Sequence, residues 1–180
     1  MDSLPPWALE RFQNLSPSQQ ETIMNLAMKA MQNPYYIPYV TIVINWQLIY
    51  LPHFVKLFLI LPLEMFEYDN ETPRYSMTGE SIQAKRGISN TYAGFLKRLG
   101  SCHLNAFEAF GPYVAAILVA KASKVKGDAV QKLAVQYTIL RMAYFALYVG
   151  GVNKWISYVR TLVWAGAFLK NLEIFQLALS

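Results

Sequence analysis

Two series of polar side chains lie inside apolar stretches, and their spacing and chemistry suggest a binding cleft. The members are Ser101, Asn105, Glu108 and Pro112 in the first series, and Tyr137, Arg141, Tyr144 and Tyr148 in the second. Both follow the spacing i, i+4, i+7, i+11, so an α-helix places each series along one stripe. Two such stripes facing each other would offer a carboxylate, an amide, phenols and a guanidinium to a small molecule.

Arg160 and Thr161 stand at the start of a further apolar stretch and are predicted to complete this cleft. A guanidinium there would bind an anion, although the position is also typical of an arginine that snorkels to lipid headgroups. Glu108 and Arg141 leave two interpretations open: they neutralise each other inside a helix bundle, or both face a ligand. A carboxylate at lipid depth costs about 2.5 to 3.5 kcal/mol, so Glu108 needs a partner or a wet cavity in either case.

The composition of the chain indicates a membrane protein. Hydrophobic residues make up 54% of the 180 residues and charged residues only 15%, against about 25% in soluble domains. The formal net charge is +5, but the basic residues occur in small groups between apolar stretches. Such groups are typical of helix ends at lipid headgroups, so we expect the lipid bilayer as a partner and no nucleic-acid binding.

Four apolar stretches predict the fold. They run from about 37 to 63, 98 to 120, 130 to 149 and 158 to 179, and a helix of that length crosses about 30 Å of hydrocarbon. Gly150, Gly151 and Asn153 separate the last two stretches. We therefore predict an all-α fold, a four-helix transmembrane bundle with an amphipathic N-terminal helical extension. A soluble protein with an apolar helical core is the alternative.

The chain divides into two predicted parts. Residues 1–35 are more polar than the remainder and form the amphipathic extension, while residues 36–180 form the four-span membrane domain. Within the membrane domain, the segment 66–91 is rich in turn residues and acids. A connection of that length is usually functional, so the sequence predicts a long functional loop there.

The extension is expected to contain one short amphipathic helix. Ser16 followed by Pro17 is typical of a helix start, and the Asn33-Pro34 pair marks its end. Such a helix would lie on a membrane surface, dock on a partner or pack on its own domain.

The positions of the histidines and the cysteine in the sequence do not indicate a metal site. His53 and His103 are the two histidines and lie on different predicted spans, and Cys102 is the sole cysteine. We therefore expect no bound metal and no intrachain disulfide.

Several segments resemble the MAPEG family, the membrane-associated proteins in eicosanoid and glutathione metabolism. An amide followed three residues later by a carboxylate and then by proline, as in Asn105, Glu108 and Pro112, is similar to the second-helix motif of that family. The loop YDNETPR at residues 68–74 and the tail RMAYFALYVGGVNKWISYVRTLVWAG resemble its bacterial and fungal branch. The resemblance covers about residues 37–180.

The resemblance implies a homotrimer of four-helix subunits, with glutathione bound between neighbouring subunits as a cosubstrate. Asn105 and Glu108 would hold the polar ends of the tripeptide, and Arg160 would be the catalytic residue that stabilises its thiolate. The implied glutathione-binding set is completed by Tyr144, Tyr148, Arg98 and Arg141. The implied activity is that of a glutathione-dependent transferase or peroxidase acting on lipophilic electrophiles.

Two departures from the family pattern favour another role. Catalytic members usually place an arginine four residues before the asparagine, where this chain has Ser101, and the segment between Tyr148 and Arg160 is longer. The alternative is a non-catalytic subunit of a larger membrane complex, for example of the respiratory chain, with the N-terminal helix docked on a partner. Either function predicts a multi-pass protein of an organelle membrane, the endoplasmic reticulum or the mitochondrion in a eukaryote, or of the inner membrane in a bacterium.

Overall fold

The computed structural model describes residues 6–64, 71, 78–151 and 153–180, and within these ranges all regular secondary structure is helical. The helices, in chain order, are α1 (Pro6–Gln13), α2 (Pro17–Gln32), α3 (Tyr36–Glu64), α4 (Gly79–Arg86), α5 (Asn90–Ala122), α6 (Gly127–Gly150) and α7 (Lys154–Leu179). The predicted all-α fold is confirmed for the described part of the chain.

In the described part of the chain, the long helices α3, α5, α6 and α7 pack against one another. α6 packs along α7 and α3 packs along α5, while contacts of α5 with α6 and α7, and of α3 with α6, close the assembly. By length and composition, α5, α7 and the segment Tyr36–Pro62 of α3 can each cross a membrane. These three helices correspond to the first, second and fourth predicted spans.

The fourth long helix, α6, is less apolar than the others. Its 24 residues suffice for a span by length, but its composition does not place it with the three candidate spans. Its buried stripe carries tyrosines, a threonine and Arg141 in place of aliphatic side chains, which lowers its hydropathy. The membrane crossing of residues 130–149 therefore stays a prediction.

The outer surface of the long helices is apolar. Large hydrophobic side chains are more than half exposed at Val43, Phe54, Phe58, Leu104, Phe107, Ile139, Met142, Leu162 and Leu169. A water-soluble protein rarely exposes so many large apolar side chains along its helices, whereas lipid is a favourable solvent for them and helices satisfy their own backbone there. The arrangement supports an integral membrane protein over the soluble alternative.

Capping signals in the sequence set several helix boundaries. The Ser16 hydroxyl accepts a hydrogen bond from the Gln19 N–H, and the Gln19 side chain accepts one from the Ser16 N–H, so α2 begins with a capping box. α2 ends before the Asn33-Pro34 pair, as predicted. The Asn153 side chain accepts a 2.9 Å hydrogen bond from the backbone N–H three residues later and caps α7. The predicted break between the last two helices is confirmed.

The segment 66–91 contains a helix that the sequence prediction missed. Thr78 precedes α4 and its side chain accepts a 3.1 Å hydrogen bond from the Ser81 N–H, while Gly87 ends the helix in the left-handed region with φ of 63°. Both are ordinary helix boundary signals, but they stand among many turn residues, which is why a loop was expected. The YDNETPR motif lies outside the described residues apart from Glu71.

A buried polar network joins α3, α5 and α6. Thr41 Oγ1 and the Tyr113 hydroxyl share a hydrogen bond of 2.6 Å, and Asn45 Nδ2 donates to Thr138 Oγ1 at 2.8 Å. All four side chains are buried. Because these bonds connect three helices through side chains, they define how far each helix is shifted along its neighbours.

The start of α3 is anchored to the turn between α5 and α6. The buried Tyr35 donates its hydroxyl to the Val125 carbonyl at 2.8 Å. Gly127, the first residue of α6, packs so closely on Pro34 that a Cβ there would lie 2.5 Å from the proline carbonyl oxygen. The N-terminal extension therefore leaves the bundle at this end.

Candidate functional site

The two polar series meet at a hydrogen bond between α5 and α6. Asn105 Nδ2 donates to the Tyr148 hydroxyl at 3.2 Å and to the Ser101 carbonyl at 2.9 Å. Arg141 Nη2 donates to the backbone carbonyl of Asn105 at 3.2 Å. The structure therefore brings together both stripes that the spacing predicts to line a common cleft.

Two arginines lie against the tyrosines of α6. The rings of Tyr144 and Tyr148 are perpendicular neighbours with centres 5.2 Å apart. The Arg160 guanidinium carbon lies 4.0 Å from the centre of the Tyr148 ring, and that of Arg141 lies 4.9 Å from the centre of the Tyr144 ring. Contacts of this kind attract a cation to the ring face and hold the guanidinium in one plane. Arg160 Nη2 also donates to Ser157 Oγ at 3.1 Å.

A cavity of about 190 Å³ opens beside this cluster, between α5, α6 and α7. Its wall consists of Asn105, Glu108, Ala109, Pro112, Tyr137, Arg141, Trp164, Ala167, Phe168 and Asn171. Glu108 supplies the carboxylate of this wall and Arg141 supplies the guanidinium. The cavity is therefore both polar and aromatic, and suits a small molecule with charged groups.

Glu108 lies at the outer side of the chain and not in the bundle interior. Its side chain is exposed, while Arg141 is only 5% exposed. Among the described residues, no ion pair within 4.0 Å connects these two side chains. The interpretation that Glu108 and Arg141 neutralise each other inside the subunit is therefore not what the structure shows, and the carboxylate is left facing outward from the cavity wall.

Two further residues predicted for the cleft are not in this cluster. Arg98 lies two helical turns before Asn105, with its guanidinium carbon 5.7 Å from the Phe95 ring centre. Its buried Nε has no hydrogen-bond partner in the described part of the chain. Thr161 donates its hydroxyl to the Ser157 carbonyl of its own helix at 3.2 Å.

The wall of the cavity includes residues of α7 that sequence reasoning missed. Trp164, Ala167 and Asn171 follow Arg160 with the same spacing, i, i+4, i+7, i+11, that defines the two series on α5 and α6. A third stripe was therefore readable in the sequence. It was missed because only Asn171 is polar and a single amide in an apolar run does not by itself indicate a site.

The two histidines are close together although they belong to different helices. The ring centres of His53 on α3 and His103 on α5 are 5.0 Å apart, and His103 Nδ1 lies 2.8 Å from the Ile49 carbonyl oxygen. They lie on different helices, as predicted, and they are neighbours because α3 and α5 pack side by side. Within the described ranges, no three His, Cys, Asp or Glu side chains are grouped so as to hold a metal ion.

Comparison with known proteins assigns the chain to a family. No curated protein and no solved structure gives a significant match. The model of the MAPEG family matches residues 54–180. This match covers the last third of α3 and all of α4 to α7, and α5, α6 and α7 are the helices that build the cluster and the cavity. The chain belongs to the MAPEG family of membrane proteins.

Proposed function

We propose that this chain binds glutathione at the cluster of Asn105, Arg141, Tyr144, Tyr148 and Arg160 and transfers it to lipophilic electrophiles. The observation that supports the proposal is the convergence of these side chains from three helices. Asn105 bonds to Tyr148, and Arg160 covers the Tyr148 ring. Donors and cations gathered beside one cavity suit a tripeptide that carries two carboxylates.

Arg160 is the proposed catalytic residue. Apart from the bond to Ser157, its N–H groups make no other hydrogen bond to a described residue, so they are free to face a sulfur atom. A cationic donor beside a thiol lowers the pKa of the thiol and raises the thiolate fraction near neutral pH. The thiol proton would pass to solvent, and the sulfur would form a bond to an electrophilic carbon of a substrate that arrives from the lipid, while the bond from that carbon to its leaving group, such as chloride, breaks and the leaving group departs with the electron pair.

Assembly into a homotrimer would complete the site. The cavity of about 190 Å³ within one subunit is smaller than the range of roughly 300 to 1,000 Å³ of ordinary ligand sites. Glu108 on its outer wall is exposed, yet it belongs to the middle of a helix that can span a membrane. An ionised carboxylate at that depth requires a partner, and a neighbouring subunit or a ligand held between subunits would supply one.

The finer assignments stand on the sequence alone. These are the bacterial and fungal branch of the family, the peroxidase variant of the activity, the identity of the host membrane and the docking of the N-terminal helix on a partner. The non-catalytic role in a larger membrane complex is the remaining alternative. Its premises are the serine at position 101, the longer segment between Tyr148 and Arg160, and the amphipathic N-terminal extension.

Titration of the detergent-solubilised full chain with reduced glutathione tests the proposal. We expect the thermal midpoint to rise in a saturable way, because a ligand that binds only the folded state stabilises it. We also expect a conjugate to form with a chlorodinitrobenzene electrophile. S-methylglutathione is the matched control, since it can bind but has no thiol to react.

Absence of both the midpoint shift and the conjugate would overturn the proposal and leave the non-catalytic role. The molar mass of the solubilised protein, measured by light scattering with correction for detergent, tests the trimer separately. A monomer at concentrations where glutathione binds would contradict a site completed by a neighbouring subunit.

A further inference from the structure

Two imidazole rings lie side by side between α3 and α5, and neither belongs to the wall of the cavity. The ring centres of His53 and His103 are 5.0 Å apart, and both side chains are half-buried. Within the described part of the chain, no hydrogen bond joins the two rings. The proposed function uses neither histidine, so the pair requires a separate explanation.

A hydrogen bond to the backbone determines which nitrogen of His103 is available. Its Nδ1 lies 2.8 Å from the Ile49 carbonyl oxygen. Because a carbonyl only accepts, Nδ1 carries the proton and donates it, and in the neutral ring the lone pair is then on Nε2. A histidine that ligates a metal ion usually donates its other ring N–H to a carbonyl or carboxylate in the same way, which fixes the orientation of the ring.

The distance between the rings indicates the kind of ion that fits. His53 makes no hydrogen bond to a described residue through either ring nitrogen. Two imidazoles that bind one Zn²⁺ at about 2.0 to 2.1 Å with a tetrahedral angle have ring centres about 5 Å apart, whereas linear coordination would separate the centres by about 6 Å or more. The observed separation of 5.0 Å therefore fits tetrahedral coordination.

The pair lies within reach of water from the end of the bundle where α5 begins. His103 follows Arg98 by five residues, about 7.5 Å along a helix. Lys56 Nζ lies against Gly100 of α5, 3.3 Å from the position that a Cβ would take there. An ammonium group at that level draws water to the helices, which gives a hydrated ion a route to the imidazoles. The charge of Lys56 itself opposes the binding of a cation.

We propose that His53 and His103 bind Zn²⁺ and thereby connect α3 to α5. Imidazole nitrogen is a preferred ligand of Zn²⁺, and water or an anion from solution completes the four positions. This proposal revises the expectation of no bound metal, which followed from the positions of the two histidines on different predicted spans. It does not depend on glutathione binding.

Titration of the full-length protein in detergent with Zn²⁺ tests the proposal, without a polyhistidine tag and without glutathione. We expect the wild type to take about one Zn²⁺ per chain from a chromophoric chelator, and the thermal midpoint to rise because the ion binds the folded state. His53→Gln and His103→Gln should each weaken the affinity at least about tenfold. Phe54→Leu is the matched control, since it changes a ring next to His53 that has no ligating nitrogen, and it should keep the affinity.

Lys56→Gln distinguishes a metal site from an anion site. Removal of the ammonium group takes away a charge that repels Zn²⁺, so the affinity for Zn²⁺ should stay equal or increase. A lower affinity for Zn²⁺ in this variant would overturn the proposal, because it would mean that the ion is held through an anion bound to Lys56.

Modification of the wild type with diethyl pyrocarbonate keeps the proposal testable if the glutamine variants do not fold. Zn²⁺ should slow the modification of both histidines severalfold, as measured by mass spectrometry, and Mg²⁺ at the same concentration should not, because it prefers oxygen ligands. Failure of the wild type to bind Zn²⁺, unchanged affinity in both glutamine variants, or histidines that Zn²⁺ does not protect would each overturn the site and leave the proposed function unaffected.

Discussion

The Arg160 guanidinium lies over the Tyr148 ring, with its central carbon 4.0 Å from the ring centre. This contact connects the end of α6 to the second turn of α7 across the break at Gly150 and Gly151. The hydroxyl of the same tyrosine accepts a hydrogen bond from Asn105 on α5. One side chain therefore positions both the amide and the cation of the proposed site, and its ring and hydroxyl can be tested separately.

Tyr148→Phe removes the hydroxyl and keeps the ring under Arg160. We expect a loss of about 0.5 to 1.5 kcal/mol in the free energy of unfolding, as is usual for one hydrogen bond between side chains within a membrane bundle. The affinity for glutathione should fall severalfold, because the Asn105 amide loses one of its two acceptors. Thermal unfolding and ligand titration in detergent measure both effects. Tyr158→Phe, at a tyrosine 52% exposed, is the control, and an unchanged Tyr148→Phe protein would contradict the role of the bond.

Arg160→Ala should reduce the conjugation rate constant by about 10² or more, the usual effect of removing one group that stabilises a developing anion. Glutathione binding should remain measurable. Without the cation the pKa of the bound thiol rises, so the remaining activity should move to higher pH. Lys154→Ala removes an exposed cation near the start of the same helix and should change neither quantity. Equal loss of binding and turnover in Arg160→Ala would assign the arginine to binding alone.

The hydrogen bond between Asn45 and Thr138 should couple α3 to α6. A double-mutant cycle with Asn45→Ala and Thr138→Ala is expected to give a coupling of about 0.6 kcal/mol, with an upper bound of about 1.7 kcal/mol, as for other bonds between membrane helices. Titration with a denaturing detergent gives the free energy of unfolding of the wild type, the two single variants and the double variant, and the coupling is calculated from these four values. Gln47→Ala, at an exposed position of the same helix, should show no coupling to Thr138. Strict additivity for the Asn45 pair would mean that the bond contributes nothing to stability.

Tyr35 should make the stability of the protein sensitive to alkaline pH. Burial raises the pKa of Tyr35 above its ordinary value of 10.0, Tyr39 raises it further and Lys121 opposes the shift. Because the pKa of the folded state exceeds that of the unfolded state, this contribution to stability is fully present below pH 10.0 and is lost as pH rises through the folded pKa.

Tyr35→Phe should remove this part of the pH dependence. The thermal midpoints of the two proteins, followed from neutral pH upward, should differ in slope above the ordinary pKa of tyrosine. Parallel curves in that range would show that Tyr35 ionises equally easily in the folded and unfolded states.

Local signals in the sequence were sufficient for much of the architecture. The spacing of the polar residues on α5 and α6 identified which faces meet, because a helix converts sequence intervals of four and seven into one stripe. Ser16, the Asn33-Pro34 pair and Asn153 mark helix ends through caps that act within one turn. These features depend only on neighbouring residues, and they needed no knowledge of the tertiary structure.

Features that depend on which helices are neighbours could not be predicted in the same way. The ring centres of His53 and His103 are 5.0 Å apart because α3 packs on α5. The residues that flank each histidine in the sequence do not indicate that these two helices are neighbours. In the sequence, Asn171 is a single amide in an apolar run. The structure places it in the wall of the cavity, where its Oδ1 has no hydrogen-bond partner among the described residues. The positions of the helices could therefore be predicted from the sequence, but which helices pack against each other could not, and the composition of the site depends on that packing.

The exposed carboxylate of Glu108 has a consequence for the lipid itself. It belongs to the middle of a helix that can span the bilayer, where a lone ion draws in water and thins the surrounding leaflets. An unassembled chain would thus deform its host bilayer, and covering the carboxylate would relieve that elastic deformation. For the proposed homotrimer, we therefore expect thicker bilayers to favour association of the subunits, because local thinning costs more free energy there.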